Sequence, residues 1–310
     1  MLKLYRPEGS VYTAQDVESW DRTWDEHSIE EAIRGAAACH LTPIFDRYFP
    51  RPGKILEGGC GLGQFVVHYR RRGYDIEGVD FSPLAIERLK ALDPALPVTL
   101  ADVRKLPYED GTVACYYSGG VVEHFEEGPT EALAEARRVL APGGVLLITV
   151  PYVNWIRRGQ SLVGWRCRWW DVDTVRLEPR ARMSVEPSPE PALRFAEYVF
   201  GRGEFRKILE AHGFRVERAF GCDIEWGEVL QFLYRRLRRT TGTMPHGGPA
   251  ASSPAPAGAR GPRALAVKLW KELFVLEHPR WAPLRPLVRF AGVVSGHMAL
   301  FVARRTAGAA

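Results

Sequence analysis

The chain of 310 residues is 46% hydrophobic and 25% charged, with a formal net charge of +5; this excludes a disordered or fibrous polypeptide and allows one sizeable globular core with additions. Its five cysteines (Cys39, Cys60, Cys115, Cys167 and Cys222) are odd in number and include no CxxC pair, so neither a disulfide framework nor a zinc site is expected, and a reducing, cytoplasmic setting is. The amino-terminal MLKLYRPEGS has no apolar run of signal-peptide length, the late apolar stretch 287–303 is interrupted by Arg289 and His297, and the mild basicity fits a surface preference, nucleic acid or anionic lipid without selecting among them.

Residues 1–50 precede the first expected core strand and read as an amino-terminal helical cap, with Ser28 and Glu31 at capping-box spacing. From Ile55 to Val150 short apolar runs alternate with amphipathic segments, the pattern of an α/β chain whose parallel sheet is covered by helices. KILEGG is the first strand. QFVVHYRRRG is a helix closed by Gly73, and YDIEGVD is the second strand. Ser82 and Pro83 open the next helix, because a serine hydroxyl accepts from unpaired amides and proline fits the first helical position. VTLAD, TVACYYS and VLLITV supply further strands. The helix TEALAEARRVL closes at Pro142-Gly143-Gly144, and GEFRKILEAHG with FRVERAF continues the rhythm after an insertion at 151–200. The core is thus expected at 51–221. Residues 222–292 read as a helical insertion whose two amphipathic helices flank a Pro-, Gly-, Ala- and Ser-rich linker at 243–262, expected to be poorly ordered. SGHMALFVARRT, within 293–310, reads as the last strand.

The stretch GKILEGGCGLGQF, Gly53–Phe65, carries the chemistry. A phosphate-binding loop needs Lys-Ser/Thr after its glycines, where Gln64 and Phe65 stand. The dinucleotide fingerprint needs a glycine where Val66 sits when counted from Gly61. What remains is a turn without side chains between strand and helix, able to admit a ligand against backbone amides. Glu57 at the strand end would repel a pyrophosphate and welcome a cation or an amine. Asp80, ending the second strand, stands where such sheets place an acid on ribose hydroxyls. Asp102 can accept from an exocyclic adenine amine, with Val103 offering its backbone amide. A ribose, an adenine and an aminoacyl cation together suggest S-adenosylmethionine.

The motifs ILEGGCGLG, VDFS, ADVRKLPYEDGTVACYYSGGVVEHF, RVLAPGGVLLITVP and FRKILEAHGFRV, in this order from about residue 53 to 219, resemble those of class I S-adenosylmethionine-dependent methyltransferases, and within them the bacterial group that acts on small molecules. The resemblance implies a doubly wound, seven-stranded, mostly parallel sheet with helices on both faces, a last strand antiparallel beside the sixth, and helical cap insertions. It implies that Glu57, Gly59, Gly61 and Gly63 line the methionine part of the cofactor and that Asp80 holds the ribose with Phe81 against the adenine. Asp102 and Val103 would read the adenine edge, and Ser118 and Gly119 would lie near the methionine carboxylate and the transferring methyl. The family often has aspartate where Glu57 stands. No metal site is implied.

Cys60, among the motif glycines, fits small-residue packing better than a nucleophile. His124 is the best-placed candidate base, with positioning of the acceptor as its alternative role. Methyl transfer asks the enzyme mainly to align the acceptor and exclude water, so substrate identity is expected in the caps: Trp20 and Trp24, the insertion NWIRRGQSLVGWRCRWWD, and the helix pair near the end. The insertion's Trp155, Trp165, Trp169 and Trp170, with Arg157, Arg158, Arg166 and Arg168, fit an anionic lipid surface, a pocket for a phosphorylated or carboxylated substrate, nucleic acid, or a plain lid. Nucleic acid is disfavoured because SGGV replaces the Pro-Pro-aromatic motif of amino-methylating DNA enzymes. The expected activity is methyl transfer to oxygen, less readily nitrogen or carbon, of a small molecule, glycan or lipid-linked metabolite. The rival reading is a non-catalytic cofactor-binding or membrane-associated scaffold. Under either reading the alternative to a plain cytoplasmic location is a peripheral one at the inner membrane face.

Overall fold

The computed structural model describes residues 2–7, 17–37, 39–154, 193–224 and 296–307. The linker at 243–262, the two amphipathic helices expected on either side of it and the tryptophan- and arginine-rich stretch from Trp155 lie outside the described residues.

The chain opens with strand β1 (Leu2–Pro7), followed by helices α1 (Val17–Asp25), α2 (Ile29–Ala36) and α3 (Thr42–Tyr48). Then β2 (Ile55–Gly58), α4 (Gln64–Arg71), β3 (Ile76–Asp80), α5 (Pro83–Leu92), β4 (Val98–Leu100) and β5 (Val113–Gly119) alternate. A 3₁₀ turn (Val122–His124), α6 (Thr130–Val139) and β6 (Leu140–Pro151) precede the insertion. Beyond it come β7 (Leu193–Val199), α7 (Arg202–Ala211), β8 (Phe214–Ile224) and β9 (Gly296–Arg305). The main sheet has seven strands in the order β4-β3-β2-β5-β6-β9-β8. β2, β3, β4, β5 and β6 run parallel, and β9 lies antiparallel between β6 and β8, as expected for the last strand.

Alternation along the strands sorts side chains to two faces. Leu56, Tyr116, Leu146 and Ile148 pack with Leu133 and Ala136 of α6 and Phe205 and Leu209 of α7. Their neighbours Ile55, Tyr117 and Leu147 pack on the other face with Phe45 of α3 and Phe65 and Tyr69 of α4. The local signals hold where they were read. Ser82 Oγ accepts from the Ala85 amide at 3.0 Å, Ser28 Oγ accepts from the Glu31 amide at 3.3 Å, and Gly73 follows α4 with φ of +77°. The Pro142-Gly143-Gly144 signal plays a different part from the one expected. The ladder jumps from Val113↔Leu140 to Cys115↔Val145, so these residues form a bulge inside β6 and not a gap between helix and strand.

Two elements alter the expected boundaries. Residues 1–50 are not helical throughout, because β1 pairs antiparallel with β7 from the far end of the 151–200 insertion, Leu2 facing Val199 and Pro7 facing Leu193. β8 also runs on to Ile224, beyond the expected core boundary at 221.

Candidate active site

The glycine loop follows β2 and bends back over β3. The Gly59 and Cys60 amides both donate to Val79 O, at 2.8 and 2.9 Å, and the Gly63 amide donates to Cys60 O at 2.8 Å. Gly59, Gly61 and Gly63 have φ of +73°, +50° and +62°, a left-handed region that glycine enters without steric cost. Space forbids side chains as well: a Cβ on Gly59 would lie 2.4 Å from Val121 Cγ2, and one on Gly61 would lie 2.7 Å from the Trp24 ring. Cys60 is filler. It is buried against Gly78, and burial, with Asp80 and Glu57 close by, pushes its thiol far above the range in which it could act as a nucleophile.

Asp80 is the organiser of the loop. Its Oδ2 accepts from the Gly61 amide at 2.7 Å and its Oδ1 from the Ser82 amide at 2.9 Å. With the Phe81 amide also directed at it, the carboxylate still keeps lone-pair capacity for a hydroxyl donor. Burial raises its pKa, against the opposing amide bonds from Ser82, Gly61 and Phe81. Glu57 is 4% exposed. Burial pushes its pKa up to about 8, with the Val66 amide at the start of α4 opposing and Asp80 reinforcing. Its Oε2 has no hydrogen-bond partner, nor has Ser118 Oγ at the end of β5.

A cleft opens beside these groups, lined by Asp80, Phe81, Asp102, Val103, Gly119 and His124 among others. Asp102 stands in its wall, although its carboxylate is already occupied. The Arg104 guanidinium reaches Oδ2 at 2.7 and 3.0 Å and Oδ1 at 3.1 Å, and the Arg104 amide reaches Oδ1 at 2.8 Å. An adenine amine would therefore share this carboxylate with Arg104, whose guanidinium lies 4.7 Å from the centre of the Phe125 ring.

His124 closes the other end. Its Nδ1 lies 2.9 Å from Ala196 O of β7. A carbonyl only accepts, so Nδ1 carries a proton, and in the neutral imidazole Nε2 then holds the lone pair. The edge of Trp20 meets the imidazole at 5.1 Å between centroids, and Trp20 stacks on Trp24 at 5.7 Å. The preceding Glu123 is 1% exposed, and burial pushes its carboxyl well above the usual carboxylate range. The sequence reading missed three of these placements: the seating of Trp24 on the glycine loop, the Arg104 clasp on Asp102, and the buried acid Glu123. For Trp24 a signal existed, since Trp20 and Trp24 are four apart and share one face of α1.

Residues 56–148 match the family described as "Methyltransferase domain". This segment is a class I S-adenosylmethionine-dependent methyltransferase domain. The chain is 29% identical over 170 residues to a probable S-adenosylmethionine-dependent methyltransferase of Mycolicibacterium smegmatis, covering 54% of each chain. It is also 33% identical over 99 residues to a malonyl-[acyl-carrier protein] O-methyltransferase of Serratia marcescens, covering 32% of this chain and 38% of that one. The matches thus span only about a third to a half of these relatives. The fold as a whole is similar to a chain in the solved complex of the Haloferax volcanii Trm112 methyltransferase activator and a methyltransferase, with a TM-score of 0.52, 15% identity, and coverage of 93% of this chain and 97% of that one.

The site fits this cofactor on two grounds: Asp80, at the end of β3 and in the wall of the cleft, keeps acceptor capacity for a hydroxyl, and Glu57 keeps an unpaired buried oxygen for an ammonium group. Among the described residues no cluster of His, Cys, Asp and Glu could hold a metal ion, and no helix is long and apolar enough to cross a membrane.

Proposed function

We propose that the protein transfers a methyl group from S-adenosylmethionine to the oxygen of a small molecule, glycan or lipid-linked metabolite. The observation that carries the choice of oxygen is the tautomer of His124, whose Nε2 is the one imidazole nitrogen able to accept a proton while Nδ1 remains on Ala196 O. Bound in the cleft, the cofactor supplies an electrophilic methyl on a sulfonium. The chain's own residues do the rest. Glu57, Gly59, Gly61 and Gly63 hold the methionine portion, Asp80 and Phe81 the ribose and adenine, and Asp102 with Val103 the adenine edge. Ser118 and Gly119 set the floor beneath the reacting end, where the Tyr117 hydroxyl lies against Gly119. His124 Nε2 takes the hydroxyl proton as the acceptor oxygen becomes nucleophilic, and the Trp20 ring beside it excludes water. The O-methyltransferase activity of the Serratia relative supports the same acceptor atom. The odd number of cysteines, with no CxxC pair, fits a cytoplasmic setting.

Calorimetry with S-adenosylhomocysteine, followed by methyl release from labelled cofactor into fractionated cell metabolites, tests this reading. No cofactor binding, or binding indifferent to Asp80→Ala, removes the enzyme. Cofactor binding without methyl release to any fraction leaves the scaffold reading in its place.

A further inference from the structure

The polar groups left unpaired around the glycine loop form a pattern. Glu57 Oε2 can only accept a hydrogen bond while its carboxyl is ionised, Ser118 Oγ can donate, and a third buried group without a partner is Trp24 Nε1, which can only donate. An unpaired buried indole N–H costs free energy unless something accepts from it. Trp24 is held over the loop from two sides. Cζ2 and Cη2 of its benzo edge are 2.7 Å from where a Cβ on Gly61 would stand, and Nε1 follows along the same edge of the ring. Its helix is tied to the ribose loop and to α5. Asp21 Oδ1 accepts from the Ser82 hydroxyl and from the Leu84 amide at 3.4 Å, while Arg88 donates to Trp24 O and, at 3.0 Å, to His27 O. The indole is therefore fixed at the cofactor cleft, whose wall it shares with Gly59 and Asp80.

We propose that Trp24 is a cofactor-binding residue whose indole N–H donates to the carboxylate of the cofactor's amino acid tail. This rests on the cofactor reading above and assigns the tail within it. One buried acceptor and two buried donors without partners are the complement of an α-amino acid zwitterion: Glu57 takes the ammonium, and Trp24 with Ser118 takes the carboxylate. The ribose end is matched differently, because Asp80 offers acceptors to hydroxyl donors there and an indole N–H adds nothing that end lacks. Trp24 thereby belongs to cofactor capture and not to the acceptor cap in which sequence placed it, and α1 becomes part of the cofactor site.

The test compares S-adenosylhomocysteine with 5′-methylthioadenosine, which keeps the nucleoside and thioether and lacks the amino acid tail. Trp24→Phe preserves a packed ring and removes the donor. The expected result is a loss of roughly tenfold or more in affinity for S-adenosylhomocysteine, the scale of a hydrogen bond to a charged acceptor, with affinity for 5′-methylthioadenosine unchanged. Equal losses on both ligands, or none on either, overturn the assignment. Should Trp24→Phe fold poorly, the wild-type protein answers through its ¹⁵N-labelled indole resonances, where the Trp24 N–H shifts downfield with S-adenosylhomocysteine and not with 5′-methylthioadenosine. Equal response to the two ligands overturns the assignment there too. Wild-type protein that binds neither ligand overturns the cofactor reading itself, whereas binding that depends on Asp80 and ignores Trp24 overturns this inference alone.

Discussion

Because Ala196 O fixes the proton on Nδ1 of His124, the variant His124→Asn is informative: its side-chain amide can still reach toward that carbonyl while the basic Nε2 is gone. Steady-state kinetics should show kcat reduced by about 100-fold or more, the lower range for loss of a general base, with S-adenosylhomocysteine affinity retained. An unchanged kcat would assign His124 to positioning. Glu57 makes a second prediction through its proton. Its pKa of about 8 keeps it protonated at neutral pH, and an arriving ammonium favours its ionised form, so binding should release a proton. Affinity should rise from about pH 6 toward pH 8. Calorimetry in buffers of different ionisation enthalpy should register the release, and Glu57→Gln should abolish it; a binding enthalpy that ignores the buffer would contradict the pairing.

At the level of elements, the site is an assembly of helix starts and strand ends held by a few cross-ties. Ser82 is the busiest of these, capping α5 through Ala85 while its hydroxyl donates to Asp21 of α1. Ser82→Ala should cost about 1–2 kcal/mol of stability from the lost cap. It should also weaken S-adenosylhomocysteine binding more than it weakens 5′-methylthioadenosine binding, because α1 carries Trp24; thermal melts and calorimetry measure the two effects separately. The cap itself was legible in the sequence, since Ser82 and Pro83 act on amides a few residues away, and so were Gly59, Gly61, Gly63, Asp80 and the seven strand runs. What was not legible depends on partners distant in the chain. LKLYRP is a six-residue strand ending in proline, and only its partner at Leu193–Val199 makes it a strand. Asp102 was readable as an acceptor, yet the clasp that occupies it needs the side chain of Arg104 to fold back two residues. Asp21 and Trp24 read as parts of a cap because nothing in their neighbourhood reveals Ser82 or Gly61.

For the molecule as a whole, the buried carboxyls set the direction in which stability moves with pH. Glu57 and Glu123 have folded-state pKa values raised by burial. From the ordinary carboxylate range up to about 8 the folded chain therefore holds protons that the unfolded chain has lost, and stability falls as pH rises through that window. Glu135, held low by hydrogen bonds from Arg138, acts in the opposite sense and loses its contribution only as the solution turns acid. Melting temperatures should decline from about pH 6 to pH 8, Glu57→Gln should flatten the decline, and a rise over the same range would refute it. The position of β9 bears on how such a molecule is made. β6 and β8 each pair with β9 and not with one another, and residues 225–295 lie between β8 and that shared partner. On the ribosome, the half of the sheet that carries the glycine loop, Asp80 and His124 emerges and can organise early. β6 and β8 meanwhile wait with open edges, a hazard for sticking to other nascent chains, until the segment from Gly296 to Arg305 arrives to seal both at once.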